Sequence, residues 1–200
     1  MSRASRFVLV TAATALAMAG CADTVSGDAK TATADSSPGT SGATSSSPPT
    51  SNAVSGPHQT PNSNTDGTTF DPCVAYSAAE LSKWGLDPAT VKGVDDGLQR
   101  GCIWNGKGWY VQQLVANRSI SEYLDTNNYP DAQPLTIAGL QGSQHRLSQP
   151  GTGFCSVQVP SQKAVVATLV NVDAGAATRI PDACTKAIEI ATDTVAKLPK

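Results

Sequence analysis

The five cysteines are the side chains of this sequence best suited to covalent chemistry, and their spacing separates one from the other four. Cys21 ends an apolar run, more than fifty residues before the next cysteine. Neighbours among the other four are 29 residues or more apart. A zinc site or a dithiol redox pair uses close pairs such as C-x-x-C. The spacing is therefore typical of structural disulfides in an exported protein; the four are Cys73, Cys102, Cys155 and Cys184.

The segment before Cys21 predicts export. Arg3 and Arg6 precede residues 7–19, which carry no charge. At about 1.5 Å per residue this run is too short to cross a hydrocarbon core of roughly 30 Å. A basic start, a short apolar run and small residues are typical of a secretory signal, here residues 1–20.

The end of that signal resembles the bacterial lipobox, through Met18-Ala19-Gly20-Cys21. In such signals the cysteine thiol takes a diacylglyceryl group and becomes the mature N-terminus. The resemblance implies that Cys21 is the lipid attachment site and that acyl chains such as palmitate are the contact with the membrane. Two chains hold a protein stably on a bilayer. We therefore expect a protein anchored on the extracytoplasmic face of the cell membrane.

Residues 21–69 are predicted to be the lipidated N-terminus and a disordered tether. Residues 22–69 contain no Leu, Ile, Met, Phe, Tyr or Trp and are rich in Ser, Thr and Pro. Such a chain cannot bury enough apolar surface to offset the entropy lost on ordering. The composition also suits an O-glycosylated stalk, and an undecorated linker remains the alternative.

Residues 70–200 have the length of one ordinary domain. They contain eleven Lys and Arg against twelve Asp and Glu, without a long block of either sign. This balance argues against nucleic acid or an anionic lipid surface as the principal partner.

The pattern of elements predicts an α+β fold, an antiparallel sheet with an N-terminal and a C-terminal helix packed on it. A first helix is expected over 71–84, with Asp71 as N-cap and Gly85 after its end. Asn105-Gly106 predicts the tight turn of a hairpin within 101–116. A short helix is expected after Ser119, then strands within 135–140, 143–149, 154–160 and 163–172, the last of them central because it is apolar on both faces. The final helix begins near residue 181, with an apolar stripe made of Cys184, Ala187, Ile188, Ala191, Val195 and Leu198.

Four cysteines allow three pairings, and we expect Cys73–Cys102 and Cys155–Cys184. In each pair one cysteine starts a predicted helix and the other lies on a predicted strand. Each bond would fasten one helix to the sheet and close a loop of about thirty residues. Pairing Cys73 with Cys184 and Cys102 with Cys155 would need both helix starts and both strands to meet at one place.

The motifs FDPC before the first helix and GCIW about thirty residues later, with a late strand cysteine and a helix cysteine, resemble an actinobacterial lipoprotein family. It is the family of domain of unknown function 3558, and the similarity covers roughly residues 70–198. In that family a lipobox and a Ser/Thr-rich tether precede the domain. The resemblance implies a cell-envelope lipoprotein and brings no catalytic residue to this chain.

Catalytic patterns are weak. His145 could join Ser143 or Ser148 in a hydrolytic site, but no G-x-S-x-G motif or spaced acid accompanies it. Residues 94–97, VDDG, lack the spacing of a calcium loop and predict a turn. Residues 105–108, NGKG, lack the helix that follows a phosphate-binding loop. Three tryptophans could line a ligand groove. We expect Trp84 and Trp104 in the core, whereas Trp109, beside the turn, remains open between core and groove.

We therefore expect a non-catalytic module that binds a small ligand, lipid, glycan or protein partner, with no metal and no cofactor. The ligand-binding residues are not identified by any motif. The alternatives are an envelope hydrolase or transferase with a dispersed active site, and a purely structural role.

Overall fold

The computed structural model describes residues 56–146, 153–176 and 179–199. The predicted signal, Cys21 and the tether up to residue 55 lie outside these ranges, so the structure neither supports nor contradicts them.

The described residues form one seven-stranded antiparallel sheet with three α-helices, which confirms the α+β fold. The helices are α1 (Ala78–Trp84), α2 (Ile120–Tyr123) and α3 (Ala183–Val195). The strands are β1 (Leu86–Asp95), β2 (Arg100–Gly106), β3 (Trp109–Ala116), β4 (Gln133–Ile137), β5 (Leu140–His145), β6 (Gly153–Ser161) and β7 (Ala164–Val172). No described helix has the length and apolar character needed to cross a membrane.

The sheet consists of two meanders joined in the middle. Its order is β1-β2-β3-β7-β6-β5-β4, so the β3–β7 pair connects the first three strands to the last four. The segment containing α2 carries the chain from β3 to the far edge, where β4 begins. β7 is the central strand, as its continuous apolar sequence predicts.

Both disulfides lie on one face of the sheet. The register joins Trp104 to Val111, Val111 to Val170 and Val170 to Cys155. Because side chains alternate along a strand, Cys102 shares the face of Trp104 and Cys155. Helices α1 and α3 cover this face, which we call the helix face.

The predicted pairing is confirmed. Cys73 is bonded to Cys102 and Cys155 to Cys184, with Cα atoms 5.2 and 5.0 Å apart. Cys184 is in the first turn of α3, as expected. Cys73 lies in a turn before α1 and not in a helix.

The first helix begins six residues later than predicted, at Ala78 and not at Pro72. Its N-cap is Ser77, whose hydroxyl accepts from the Glu80 amide while the Glu80 carboxylate accepts from the Ser77 amide. This capping box satisfies two amides at the helix start. Asp71 instead accepts from the Cys73 amide at 2.9 Å and closes a local turn. The predicted end is confirmed, with Gly85 at φ 88° in the left-handed region.

The hairpin of β2 and β3 is present, but its turn is Lys107-Gly108 and not Asn105-Gly106. Asn105 pairs with Tyr110 and Gly106 with Trp109, so both belong to the ladder. Gly108 takes the positive φ of 75° that the turn requires.

The folded part extends further toward the N-terminus than residue 70. Arg100 is 2% exposed, and its guanidinium donates to the carbonyls of Thr65, Thr68 and Phe70 at 3.2, 3.4 and 3.1 Å. Asn117 accepts from the Gly67 amide at 2.7 Å. The predicted tether, which was to end at residue 69, therefore extends too far. Its last residues contribute almost no apolar surface and are held in the fold by tertiary hydrogen bonds from Arg100 and to Asn117.

The last helix is capped by Asp182 and begins close to the predicted residue. Its buried face is rotated slightly from the predicted stripe. Ile190 and Thr194 are fully buried, whereas Ile188 and Val195 are half-buried.

Candidate functional site

A cleft of about 550 Å³ opens at one end of the helix face. Its walls come from the end of α1, the β2–β3 turn, the first turns of α3 and the segment 179–182 before it. We call it the tryptophan cleft. Its lining is Trp84, Gly85, Lys107, Trp109, Arg179, Ile180, Pro181, Asp182, Thr185, Lys186 and Glu189. Clefts of 300–1,000 Å³ are the size that holds small ligands.

Trp109 lies in the floor of the cleft and is 6% exposed. Its indole folds back over Gly106, where any Cβ would collide with the indole nitrogen. Gly106 is therefore required by the ring and not by a turn. The ammonium of Lys186 lies 5.6 Å from the centre of the same ring, a cation–π arrangement.

The indole nitrogen of Trp84 is hydrogen-bonded to the carboxylate of Asp193. Its Nε1 donates to Asp193 Oδ2 at 2.9 Å, and Lys83 approaches the same oxygen at 3.2 Å. The hydrogen bond from Trp84 lowers the pKa of Asp193 despite partial burial. Trp84 is 2% exposed, so it borders the cleft but contributes little accessible surface to it.

Both carboxylates of the cleft are held by cations. Arg146 donates to Asp182 Oδ1 at 2.6 Å, and Lys186 contacts Glu189 Oε2 at 3.0 Å. Burial acts to raise the pKa of Asp182, but hydrogen bonds from Arg146 and Thr185 outweigh it and lower the value to about 2. Asp182 is therefore ionised at neutral pH and continues to cap α3.

The two remaining cations lie together at the rim. Arg179 donates from Nη2 to the Lys107 carbonyl at 3.2 Å, which holds the guanidinium at the β2–β3 turn. Both side chains are exposed. The cleft thus combines an apolar aromatic floor with positive charge at its edge, an arrangement that can bind an amphipathic molecule.

His145 lies on the opposite face of the sheet, because it pairs with Ser156 and not with an inward residue. It is 6% exposed, and its ring centre is 4.4 Å from that of Tyr129. Gln158 Nε2 lies 3.5 Å from its Nδ1. Burial lowers the pKa of His145, against the opposing effects of Asp131 and Gln158. It is a packed aromatic residue beside a smaller cleft of about 230 Å³.

The serine considered for a hydrolytic site is engaged elsewhere, because Ser143 donates to Gln158 at 2.8 Å. Asp131, the carboxylate that acts on the pKa of His145, accepts from the Arg146 amide at 2.7 Å. In the part of the chain that the structure describes, no hydrogen bond joins His145 to a serine or a carboxylate. Ser148 lies outside that part.

The other motifs are structural. Asp96 and Gly97 of the VDDG motif form the β1–β2 turn, and Asp96 accepts from the amides of Leu98 and Gln99. Those two hydrogen bonds lower the pKa of Asp96. Residues 105–108 form the end of β2 and its turn. Across the described ranges, no three His, Cys, Asp or Glu residues gather in a metal-binding group.

The sequence pattern left Trp109 open between core and ligand groove, and it pointed to few of the other residues that line the cleft. Trp84 and Trp104 are buried as expected, although Trp84 also lines the cleft. The signal available for Trp109 was the unusual pair of glycines in GKGW. Arg179 carries no local signal, because its neighbour Lys107 is 72 residues away in the chain.

Comparison with known proteins gives a family and no relative of known activity. No curated protein and no solved structure matches the chain. One family model covers residues 16–197, almost the whole chain, and its description is "Protein of unknown function (DUF3558)". The chain therefore belongs to the DUF3558 family.

Proposed function

We propose that this protein is a cell-envelope lipoprotein, anchored through Cys21, whose folded domain binds a small ligand in the tryptophan cleft without catalysing a reaction. The observation that carries the proposal is the cleft itself. Its volume is about 550 Å³, Trp84 and Trp109 lie at its floor, and the charged side chains of Lys107 and Arg179 lie at its edge. Deep, largely apolar clefts with a few polar groups are the usual form of ligand sites.

The anchor supports a location at the membrane surface. An apolar run that ends in a small-residue motif and Cys21 is followed by a long polar segment before the fold. Lipid attachment at this cysteine and a tether would place the cleft near the membrane, within reach of lipids, cell-wall glycans and envelope proteins.

The alternative of an envelope hydrolase or transferase has less support. A hydrolytic site needs a nucleophile, a base and an orienting group in hydrogen-bond reach. In the described ranges, His145, Ser143 and Asp131 direct their hydrogen bonds to other groups. Among the described residues that line the cleft there is no histidine and no cysteine.

Native mass spectrometry of the protein purified from its own membranes tests the proposal. We expect a retained mass on the wild-type protein that is lost in Thr185→Phe. Thr185 is exposed and lines the cleft, so an aromatic ring there would fill it without removing core packing.

Thr192→Phe is the matched control, because Thr192 is also an exposed threonine of α3 but does not line the cleft. It should retain the same mass as the wild type. A wild-type protein without added mass, or equal occupancy in Thr185→Phe, would contradict the proposal.

A further inference from the structure

We infer that the ligand of the tryptophan cleft is an anionic amphiphile, whose carboxylate or phosphate monoester is bound by Lys107 and Arg179 while its apolar part lies on Trp109. This inference rests on the proposed function and adds the chemical class of the ligand.

The charges that line the cleft are unequally paired. Three cations and two carboxylates line the cleft. Asp182 is ion-paired with Arg146, which lies outside the lining, and Glu189 with Lys186. Among the described residues, no carboxylate forms an ion pair with Lys107 or Arg179. The charge left at the rim is therefore positive, and it complements an anion.

Arg179 is held beside the turn that carries Lys107. The hydrogen bond from Arg179 to the Lys107 carbonyl places the guanidinium beside the turn that carries the lysine. One guanidinium N–H is used there, and the group has five such donors. The remaining donors and the nearby ammonium can approach one anionic group from two sides.

Apolar surface lies next to this charge. Trp84 and Trp109 form the floor with 2% and 6% of their surface exposed, and the half-buried Ile180 and the exposed Pro181 add accessible apolar surface on one wall. An anion without an apolar part would leave this surface in contact with water, whereas an acyl or ring system would cover it. Charge and apolar surface in one cleft point to an amphiphile with a single acidic head.

Three ten-carbon probes test the head group below their micelle concentrations: decyl phosphate, decyl maltoside and decyltrimethylammonium. Isothermal titration at low salt measures the dissociation constant of each for the full-length protein. We expect decyl phosphate to bind at least tenfold more tightly than decyl maltoside, and the difference to shrink as salt screens the rim.

Charge variants assign the effect to the two cations. The double substitution Lys107→Glu and Arg179→Glu should weaken decyl phosphate about tenfold or more and leave decyl maltoside within about twofold. The double substitution to Gln, which removes charge but keeps donors, should give a smaller loss. Lys163→Glu is the matched control, because Lys163 is also an exposed lysine in a two-residue hairpin turn and does not line the cleft.

The outcomes distinguish failure of the anionic ligand class from failure of the proposed ligand-binding function. Binding of decyl maltoside as tight as that of decyl phosphate, or of the cationic probe in preference, would overturn the anionic class and leave the cleft as a ligand site. Failure of all three probes, together with no retained mass, would overturn the proposed function as well.

A vesicle experiment identifies the source of the head group. Sedimentation compares vesicles of phosphatidic acid, an anionic phosphate monoester, with neutral vesicles of phosphatidylcholine, and the double Glu variant controls for membrane binding through the anchor. Binding of decyl phosphate together with a preference for phosphatidic acid vesicles that the double Glu variant lacks indicates a lipid taken from the bilayer. Binding of decyl phosphate without that preference indicates a free amphiphile. Preference for phosphatidylcholine would contradict the inference.

Discussion

The two disulfides offer a controlled test of what holds the helices to the sheet, because both join cysteines 29 residues apart. The perturbation is the replacement of one pair at a time by alanine, giving variants without Cys73–Cys102 or without Cys155–Cys184. All four side chains are buried, so loss of the sulfur atoms costs similar packing in each variant.

The expected magnitude follows from loop closure. A bond that closes a loop of about thirty residues removes chain entropy worth about 3.6 kcal/mol from the unfolded state at 25 °C. For a domain of this size, such a loss lowers the melting temperature by about 10–13 °C. Because the two loops are equal in length, the model predicts equal losses.

The surroundings of the two bonds differ, which makes the comparison informative. Cys155 lies on a strand and Cys184 in a helix. Cys73 lies in a turn, where its backbone amide donates a hydrogen bond to the Asp71 carboxylate. If loop entropy dominates, the losses agree within about 1 kcal/mol. If native packing dominates, they differ.

Urea unfolding of both variants gives the free energy and its denaturant slope. The slope should rise in each variant, because an uncrosslinked unfolded chain exposes more surface. A loss below about 1 kcal/mol in either variant, or losses that differ by more than about 2 kcal/mol, would refute the loop-closure reasoning.

Three further predictions follow from single residues. Arg100→Met should reduce the free energy of unfolding by about 2–4 kcal/mol, because three buried carbonyls lose their donor; unchanged hydrogen exchange over residues 62–69 would contradict this. Asp182→Ala should cost about 1 kcal/mol at pH 7 through loss of the α3 cap. Its folded pKa of about 2 lies below the unfolded value near 3.9, so this contribution is complete above the unfolded value and is lost as pH falls toward 2; urea midpoints of wild type and variant should converge in acid, and a constant difference would count against the cap. Cys21→Ser should leave an unprocessed precursor or a protein released from membranes, and processing with normal partition into detergent would exclude lipid attachment.

Local patterns predicted β6, β7 and the last helix well. The β6 and β7 sequences alternate or are continuously apolar, and the structure has both strands within a residue or two of the expected bounds. The short helix after Ser119 is also present, and it begins with the same type of capping box as α1. In these segments the local signal and the tertiary environment favour the same conformation.

Prediction failed where two local signals competed or where the signal was absent. Asp71-Pro72 and Ser77 with Glu80 both resemble helix starts, and only the second begins a helix. β1 was not predicted, because Pro88 and Gly93 interrupt it and its register shifts between Asp87 and Lys92. An edge strand tolerates proline, since one side of its backbone needs no partner.

The segment 135–140 shows a turn hidden inside an apolar run. Ala138 and Gly139 take φ values of 47° and 88° and connect β4 to β5. Alanine rarely adopts a positive φ, so no local pattern indicates the turn. The apolar residues on either side, Ile137 and Leu140, face each other across the hairpin and hold it closed.

The tryptophan cleft depends on contacts between segments that no local pattern relates. Gly106 could be read as a turn residue from the sequence, and its actual role becomes visible only when the Trp109 indole is seen to lie against it. Arg179 reaches the rim because the chain from β7 to α3 passes the β2–β3 turn, a consequence of β7 pairing with β3. On its other side β7 pairs with β6, whose Cys155 holds α3 through the bond to Cys184. The disulfide that fixes α3 thus also fixes the wall of the cleft that carries Lys186, so its removal should weaken ligand binding as well as stability.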